Sequence, residues 1–182
     1  VKEDKPALFT PTNELPARNL QTLVRDKAGG IWLAANRMLY RRTEDGWLRR
    51  TELESFQFPF NETTMAPSAN AGLLLQMGRR VARFHSGELT GHFDPVPDAP
   101  GSQRSQVTAL LEDHTGRVWL GTHWAGVLYA DKTGHWQRPQ QEGPLTQCRV
   151  LALFADHQGA VWVGTLGDGL HRLRPRAATT LP

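Results

Sequence analysis

Cysteine is nearly absent from this chain of 182 residues, and its scarcity excludes several classes of site. Cys148 is the only cysteine. The chain therefore cannot form an internal disulfide, a zinc site built from several cysteines or a CxxC redox motif. Cysteine usage fits an oxidising compartment as well as a reducing one.

Long hydrophobic runs are also missing. No segment approaches the roughly 18 consecutive apolar residues that a membrane-spanning helix needs. The first residues include four charged side chains with no apolar segment behind them, so no signal peptide is expected. They are Lys2, Glu3, Asp4 and Lys5. We expect no direct membrane insertion of this segment.

Charge of either sign is not concentrated anywhere in the sequence. Lys and Arg together number 21 against 18 Asp and Glu, which gives a formal net charge of +3. The densest basic groups are three isolated arginine pairs, whereas a nucleic-acid reader is expected to cluster its cations on one face. Nucleic acid is therefore not an expected partner. The hydrophobic fraction of 39% is typical of one globular domain.

What the sequence does contain is one repeat in four copies. Residues 107–122 read VTALLEDHTGRVWLGT, and residues 150–165 read VLALFADHQGAVWVGT. Residues 20–35 form a third copy, and residues 63–78 form a degenerate copy that has lost the Asp and the Trp. We place its anchor at Leu75, which gives spacings of 43, 44 and 43 residues between successive anchors. A period of this length indicates a repeat architecture.

Each copy predicts short antiparallel strands separated by tight turns. In the third copy, strands are expected at 107–111, 117–122, 127–130 and 135–138. Four strands in a unit of about 43 residues are the signature of a propeller blade. The predicted fold class is therefore all-β, a β-propeller of four repeats with four antiparallel strands each.

We expect residues 1–182 to form a single propeller or a propeller fragment with almost no α-helix. The first blade should have strands at about 20–25, 30–35 and 38–42, and the pattern should recur every 43 to 44 residues. The unit limits are approximate, and residues 6–10 are assigned as an outer strand. The four blades are predicted at 15–53, 54–100, 101–143 and 144–174.

The repeated Asp, Gly and Trp have structural explanations. An Asp side chain bonds backbone two residues further on, and Gly accepts the positive φ that closes a hairpin. Asp26, Asp113 and Asp156 are therefore predicted to form turns. Large aromatic side chains in the middle of a strand fill the space between sheets. We predict this core role for Trp32, Trp119 and Trp162.

The motif closely resembles the two-component regulator propeller repeat. It consists of an apolar strand, then Asp-x-x-Gly-x-Val/Ile-Trp-Leu/Val-Gly-Thr, and it is strict in units three and four. Proteins of that family resemble extracytoplasmic sensors, in which propellers of usually seven blades precede a β-sandwich, a membrane helix and a histidine kinase or diguanylate cyclase. The resemblance implies a periplasmic or otherwise extracytoplasmic input domain of a bacterial receptor.

Four units leave the closure of the ring open. Unit four ends after its third strand, at 169–173, and residues 7–10 could supply the missing fourth. That pairing could close a ring within one chain or join two chains into an eight-bladed ring. Alternatively, the chain forms part of a larger propeller. We expect the edge strand to expose Leu170 and Leu173, and such an edge invites pairing.

Candidate ligand contacts lie where long loops meet the ring centre. If the strands of a blade run a to d outward, the d-to-a and b-to-c loops share one face, and the d-to-a loops at 94–106 and 139–149 are long. Recurring arginines there suit an anionic or polyhydroxylated small molecule or oligosaccharide. Alternatively, they bond loop carbonyls or face solvent. The predicted ligand-binding residues are Arg18, Asn36, Arg37, Arg104, His123, Trp124, Arg149 and Asp168.

Metal and catalytic chemistry are not expected. His114 and His157 occupy one repeated turn position on adjacent blades, too far apart to share an ion, so neither a metal nor a cofactor is predicted. His123 and His171 could act as bases, as in some propeller lyases. No nucleophile, base and orienting group can be identified together in the sequence. Cys148 is interpreted as a small buried hydrophobe.

The predicted function is a ligand-sensing propeller without catalysis. A propeller enzyme of the lyase kind is the alternative, and a bound divalent ion near His123 and His171 would decide for it. A protein-interaction platform is a third reading, which a flat, apolar loop face would favour. Other copies of the chain, or the remaining blades of a larger propeller, are further candidate partners.

Overall fold

The part of the chain that the structure describes folds into four antiparallel sheets. The computed structural model describes residues 20–35, 38–43, 46–49, 63–68, 72–91, 93–98, 106–131, 133–139 and 144–174. Within these residues there is no α-helix, and none that could span a membrane. The only helical element there is a 3-10 turn at Pro144–Thr146.

Each sheet is formed by strands consecutive in sequence. Blade 1 consists of β1 (Leu20–Arg25), β2 (Ile31–Ala35), β3 (Met38–Thr43) and β4 (Gly46–Arg49). Blade 2 consists of β5 (Thr63–Pro67), β6 (Leu73–Met77), β7 (Arg80–His85) and β8 (Glu88–Thr90). Blade 3 consists of β9 (Val107–Glu112), β10 (Val118–Thr122), β11 (Val127–Ala130) and β12 (Trp136–Gln137). Blade 4 consists of β13 (Arg149–Ala155), β14 (Val161–Leu166) and β15 (Leu170–Leu173).

The blades stack in chain order through their innermost strands. Strand β5 contacts both β1 and β9, and β9 contacts β13. The predicted all-β propeller architecture and the strands of the first blade are therefore confirmed. The described sheets form an open, partial propeller, because the outward sides of blades 1 and 4 expose apolar side chains.

The core lies between the blades as separate apolar layers. Trp32 and Leu39 of blade 1 pack with Leu73 and Phe84 of blade 2, and the Trp32 and Phe84 rings meet edge to face at 5.6 Å. Blades 2 and 3 share a second layer, and blades 3 and 4 share a third that includes Trp119. Alternate side chains of each strand therefore pack against the blades on opposite sides of its sheet.

The Asp and Trp of the repeat form one hydrogen-bonded unit. Asp113 Oδ1 accepts the backbone N–H groups of Thr115 at 2.9 Å and Arg117 at 3.1 Å, which confirms the predicted turn. Its Oδ2 accepts the Trp119 Nε1–H at 2.8 Å. The same indole bond recurs between Asp26 and Trp32 at 2.7 Å and between Asp156 and Trp162 at 2.9 Å. Three copies of the repeat therefore share a hydrogen bond that joins the turn to the core.

In blades 3 and 4 these bonds favour the ionised carboxylates of Asp113 and Asp156. Burial on its own would raise the pKa of Asp113, but hydrogen bonds from the Thr115 hydroxyl, the Trp119 indole and two backbone N–H groups lower it below its usual value. In blade 4, the Trp162 indole is the main cause that lowers the pKa of Asp156 to about 2.

The degenerate copy in blade 2 is aligned one residue away from the predicted position. Leu74 pairs with Ala66 across the sheet, as Trp119 pairs with Leu111, and it packs against blade 3. Leu74 therefore holds the position of the tryptophan, and Leu75 does not. Leu75 packs toward blade 1. A one-residue shift along a strand exchanges its faces. The Asp position is accordingly held by Ser68, whose hydroxyl donates to Glu112 of blade 3.

Two predictions about blade 4 need correction, and a third lies outside the described residues. Leu173 is buried in the layer shared with blade 3, so only Leu170 of the expected exposed pair is exposed. Trp162 is only half-buried, unlike Trp32 and Trp119, because no described blade covers its side of the sheet. The proposed strand at 7–10 falls outside the described residues.

Candidate ligand-binding site

Blades 3 and 4 bring four of the predicted ligand-binding residues to one side of the sheets, which we call the loop face. His123 and Trp124 follow β10, Arg149 opens β13, and Asp168 lies in the turn between β14 and β15. Trp124, Arg149 and Asp168 are exposed. The other four predicted residues lie outside the described part of the chain: Arg18, Asn36, Arg37 and Arg104.

The turn that carries His123 and Trp124 is fixed by the threonine that ends the repeat motif. Thr122 Oγ1 accepts the Ala125 N–H at 2.8 Å and donates to the Gly126 carbonyl at 2.9 Å. Gly126 has a φ of 68°, a value that favours glycine. Thr165 makes the same hydroxyl bond to Gly169 at 2.7 Å in blade 4. This role of the threonine was not predicted from the sequence, although the threonine recurs in both strict copies.

The long loop that enters blade 4 is bonded to this turn. A Cβ on Gly126 would overlap the carbonyl oxygen of Leu145, so the loop approaches as closely as a glycine permits. Arg138 Nη1 donates to the Ala125 and Thr146 carbonyls, each at 2.7 Å. The predicted meeting of b-to-c and d-to-a loops on one face is therefore present at this blade junction.

The His123 imidazole and the Trp124 indole form a flat aromatic surface. Their ring centroids are 4.3 Å apart and their planes differ by 21°. The backbone N–H of His123 donates to the Gln106 carbonyl at 2.9 Å, which fixes the position of the residue. Desolvation, and then the positive charge of Arg149, lower the pKa of His123. The imidazole is therefore neutral at pH 7, and Arg149 supplies the positive charge there.

His171 and Cys148 also lie near this surface, and both are held by contacts within the protein. His171 donates from Nε2 to the Asp168 carbonyl at 2.8 Å. Cys148 is buried, and burial followed by the negative charge of Asp168 raises the pKa of its thiol. It is therefore a protonated core residue, as predicted. Among the described residues, no three His, Cys, Asp or Glu side chains are grouped so that they could hold a metal ion.

A cleft of about 280 Å³ lies between blades 2 and 3, away from the loop face. Its arginine, Arg83, donates to Glu112 at 3.1 Å and to the Gly116 carbonyl at 3.0 Å, and it lies over the Phe93 ring. Its carboxylate, Asp131, accepts bonds from the Thr133 hydroxyl and from backbone N–H groups. Both charged groups of this cleft are therefore hydrogen-bonded to other groups of the protein.

Comparison with known proteins identifies the repeat. The family described as two component regulator propeller matches residues 101–124 and 144–167. No curated protein sequence matches the chain.

Solved structures resemble the fold at low sequence identity. A catalytically inactive histidine-to-alanine variant of virginiamycin B lyase from Staphylococcus aureus, crystallised with quinupristin, is 14% identical, with a TM-score of 0.61 over 90% of this chain and 59% of the lyase. An extracellular domain described as that of the hybrid two component system BT4673 from B. thetaiotaomicron is 13% identical, with a TM-score of 0.64 over 93% of this chain and 23% of that one.

A computationally designed protein, Ika4, is 18% identical with a TM-score of 0.54, and the alignment covers 84% of this chain and 89% of the design. By contrast, the chain spans only 52% to 59% of the lyase chains it resembles. At these identities the likeness concerns the fold alone.

Proposed function

Because two of its repeats match the two-component regulator propeller family, we propose that the chain is the ligand-sensing input module of a bacterial signal-transduction receptor. The observation that carries the proposal is the loop face of blades 3 and 4. There, exposed Trp124 stacks on a neutral His123 beside the exposed guanidinium of Arg149. The likeness to extracellular domains of two-component systems supports an extracytoplasmic location.

The chemistry of this face favours an anionic, ring-containing ligand such as an acidic oligosaccharide. An exposed indole offers an apolar plane for a sugar ring, and a guanidinium pairs bidentately with a carboxylate. His123, as a neutral imidazole, can both donate and accept a hydrogen bond to a hydroxyl. We assign ligand binding to these three side chains, whereas Arg138 and Thr122 hold the loops in place.

Calorimetric titration with tetragalacturonate, and with the uncharged tetragalactose as its neutral counterpart, tests this proposal. We expect the acid to bind and Arg149→Gln to weaken it by roughly 10- to 100-fold, since hydrogen bonds to charged groups contribute about 1.5–3 kcal/mol. Trp124→Ala should weaken both sugars. The matched control is Arg174→Gln, because Arg174 is exposed at the opposite end of blade 4, after β15.

Two results would contradict the ligand assignment. One is acid binding that is unchanged by Arg149→Gln and Trp124→Ala. The other is no binding by either sugar or by any member of a wider panel of uronates, sialic acids and dicarboxylates in a thermal-shift screen.

The likeness to virginiamycin B lyase favours an enzyme as the second candidate. We infer a non-catalytic module instead, because His171 already uses Nε2 on the Asp168 carbonyl. Incubation with quinupristin and Mg²⁺, followed by chromatography, should leave quinupristin intact. Consumption that His123→Ala abolishes would support the enzyme and contradict our inference.

A further inference from the structure

The cleft between blades 2 and 3 has the size and the lining of a site for a small polar molecule. It lies beside the turns that join β9 to β10 and β11 to β12, away from the loop face. Its volume of about 280 Å³ is near the lower end of the range of roughly 300–1,000 Å³ for small-molecule sites. Phe93, Val118 and Ala130 supply apolar walls, and Arg83 and Asp131 supply charge.

The protein holds the guanidinium of Arg83 in one orientation. Nε and Nη2 donate to Glu112 Oε1 at 3.2 and 3.1 Å, and Nη2 also donates to the Gly116 carbonyl at 3.0 Å. The Glu112 side chain is only 3% exposed, and it accepts a further bond from the buried Ser68 hydroxyl. A group that is fixed before a ligand arrives loses less freedom when the ligand binds.

The degenerate repeat of blade 2 creates this arrangement. Arg83 holds the repeat position of Arg172 in blade 4. Arg172 Nη2 donates to Asp156 Oδ2 of its own blade at 3.0 Å. Blade 2 has Ser68 where that aspartate would be, so Arg83 bonds Glu112 of blade 3 instead. The loss of the repeated aspartate therefore turns this arginine toward the blade junction.

One nitrogen of the guanidinium, Nη1, has no hydrogen-bond partner among the contacts that the structure describes. It lies in the cleft wall beside Gly91, because an added Cβ on that glycine would be 3.5 Å from Nη1 and 3.1 Å from Phe93 Cε2. The Arg83 side chain is 31% exposed, and its Cζ lies 5.1 Å from the centroid of the Phe93 ring. The two N–H groups of Nη1 are therefore available to an acceptor in the cleft.

Asp131 supplies a carboxylate oxygen to the same cleft. Its Oδ1 accepts the Thr133 hydroxyl and two backbone N–H groups, whereas its Oδ2 accepts only the Gln137 Nε2–H among the described contacts, at 3.0 Å. The Thr133 hydroxyl is the main cause that lowers the pKa of Asp131 to about 2, so the carboxylate is ionised at neutral pH. A carboxylate oxygen has two lone pairs, and Oδ2 can therefore accept one more hydrogen bond.

The balance of charge in the cleft favours a zwitterion. Glu112 already neutralises Arg83, so a simple anion would meet the negative charge of Asp131 with no net positive charge to offset it. A simple cation would leave Arg83 Nη1 without an acceptor. A molecule with one carboxylate and one ammonium group satisfies both side chains.

From this arrangement we propose that the cleft binds an apolar α-amino acid. Its carboxylate accepts from Arg83 Nη1, its ammonium group donates to Asp131 Oδ2, and its side chain packs against the walls formed by Phe93, Val118 and Ala130. The site is separate from the loop face and does not depend on the function proposed for that face.

Calorimetric titration with leucine and two analogues tests the proposal on the unchanged chain. Isocaproate keeps the carboxylate and the side chain but lacks the ammonium group, and leucinamide lacks the carboxylate. We expect leucine to bind and each analogue to bind at least about 10-fold more weakly, because each loses one charge-assisted hydrogen bond. Glycine should also bind more weakly, since it has no apolar side chain.

Variants of the two charged groups give the second part of the test. Asp131→Asn should weaken leucine by at least about 10-fold without weakening isocaproate, which has no ammonium group to lose. Arg83→Gln leaves Glu112 buried without its charged partner, so we pair it with Glu112→Gln and check the fold by circular dichroism. This double variant should weaken both leucine and isocaproate.

The matched control is Arg41→Gln. Arg41 holds the repeat position of Arg83 in blade 1 and lines a similar cleft of about 210 Å³, where His85 replaces the aspartate. Leucine binding should be unchanged in this variant, and also in Arg149→Gln of the loop face.

Three results would overturn the proposal. The first is no binding of leucine, valine, methionine or phenylalanine at up to about 10 mM. The second is leucine binding that is no tighter than that of isocaproate or leucinamide. The third is leucine binding that Asp131→Asn leaves unchanged.

Discussion

At the scale of single residues, the repeat depends on the carboxylate that links each turn to its tryptophan. Asp113 holds two backbone N–H groups on one oxygen and the Trp119 indole on the other. Asparagine at this position could still accept at Oδ1, but its Nδ2 would point a donor at the indole donor. The charge and the second acceptor therefore both matter.

Asp113→Asn should lower the free energy of unfolding by about 1–3 kcal/mol at pH 7. Because the pKa of Asp113 is lower in the folded chain, its contribution is complete above the unfolded pKa near 4 and is lost as the pH falls through the folded value. The difference between variant and wild type should therefore shrink as the pH falls below about 4. Urea denaturation at several pH values measures it.

The matched control is Asp98→Asn, since Asp98 is exposed and pairs only with exposed Arg79 among the described contacts. A difference for Asp113→Asn that stays constant from pH 7 to pH 2 would show that its charge contributes nothing.

At the scale of strands and turns, the prediction succeeded where the Asp, Gly and Trp of the repeat mark the position of each strand. Blades 1, 3 and 4 carry Asp, Gly and Trp at fixed spacing, so their strands and turns followed from the sequence. Strand β6 is buried at all five positions. Its apolar run gives no alternation from which to choose a face, and the shift from Leu75 to Leu74 could not be detected.

The candidate site was less predictable than the strands. The positions of His123, Trp124 and Arg149 at strand ends followed from the repeat. Two further properties did not, because they depend on contacts between separate segments. Arg138 bonds two loops that are distant from each other in sequence, and the pKa of His123 depends on Arg149 across the blade junction.

A pair of glycines tests the packing of blades directly. Gly121→Ala should destabilise the chain by roughly 1–3 kcal/mol, because its Cβ would overlap Val150 of the next blade. Gly164→Ala, at the same repeat position, should change the stability of the isolated chain by no more than about 0.5 kcal/mol. Chemical denaturation separates the two. Equal costs would mean that the glycine serves its own strand and not the blade junction.

At the scale of the whole molecule, the described sheets form an arc with two unlike apolar ends. The same junction occurs between blades 3 and 4, where it is filled, and it is open at blades 1 and 4. The sequence predicted the blade type but not the closure, because each of the three modes of closure uses the same repeat. Trp162 illustrates the reason, since its burial depends on which blade covers it.

The most direct test of this account is a disulfide across the junction between blades 3 and 4. The double variant Gly121→Cys, Val150→Cys should oxidise to a cross-link within one chain, because an added Cβ at Gly121 lies within 3 Å of the Val150 Cβ and disulfides need close Cβ atoms. Each single variant controls for the buried Cys148. A cross-linked monomer that migrates faster on a non-reducing gel is the predicted result. Cysteines at 121 and 150 that stay reduced under oxidising conditions would contradict the account.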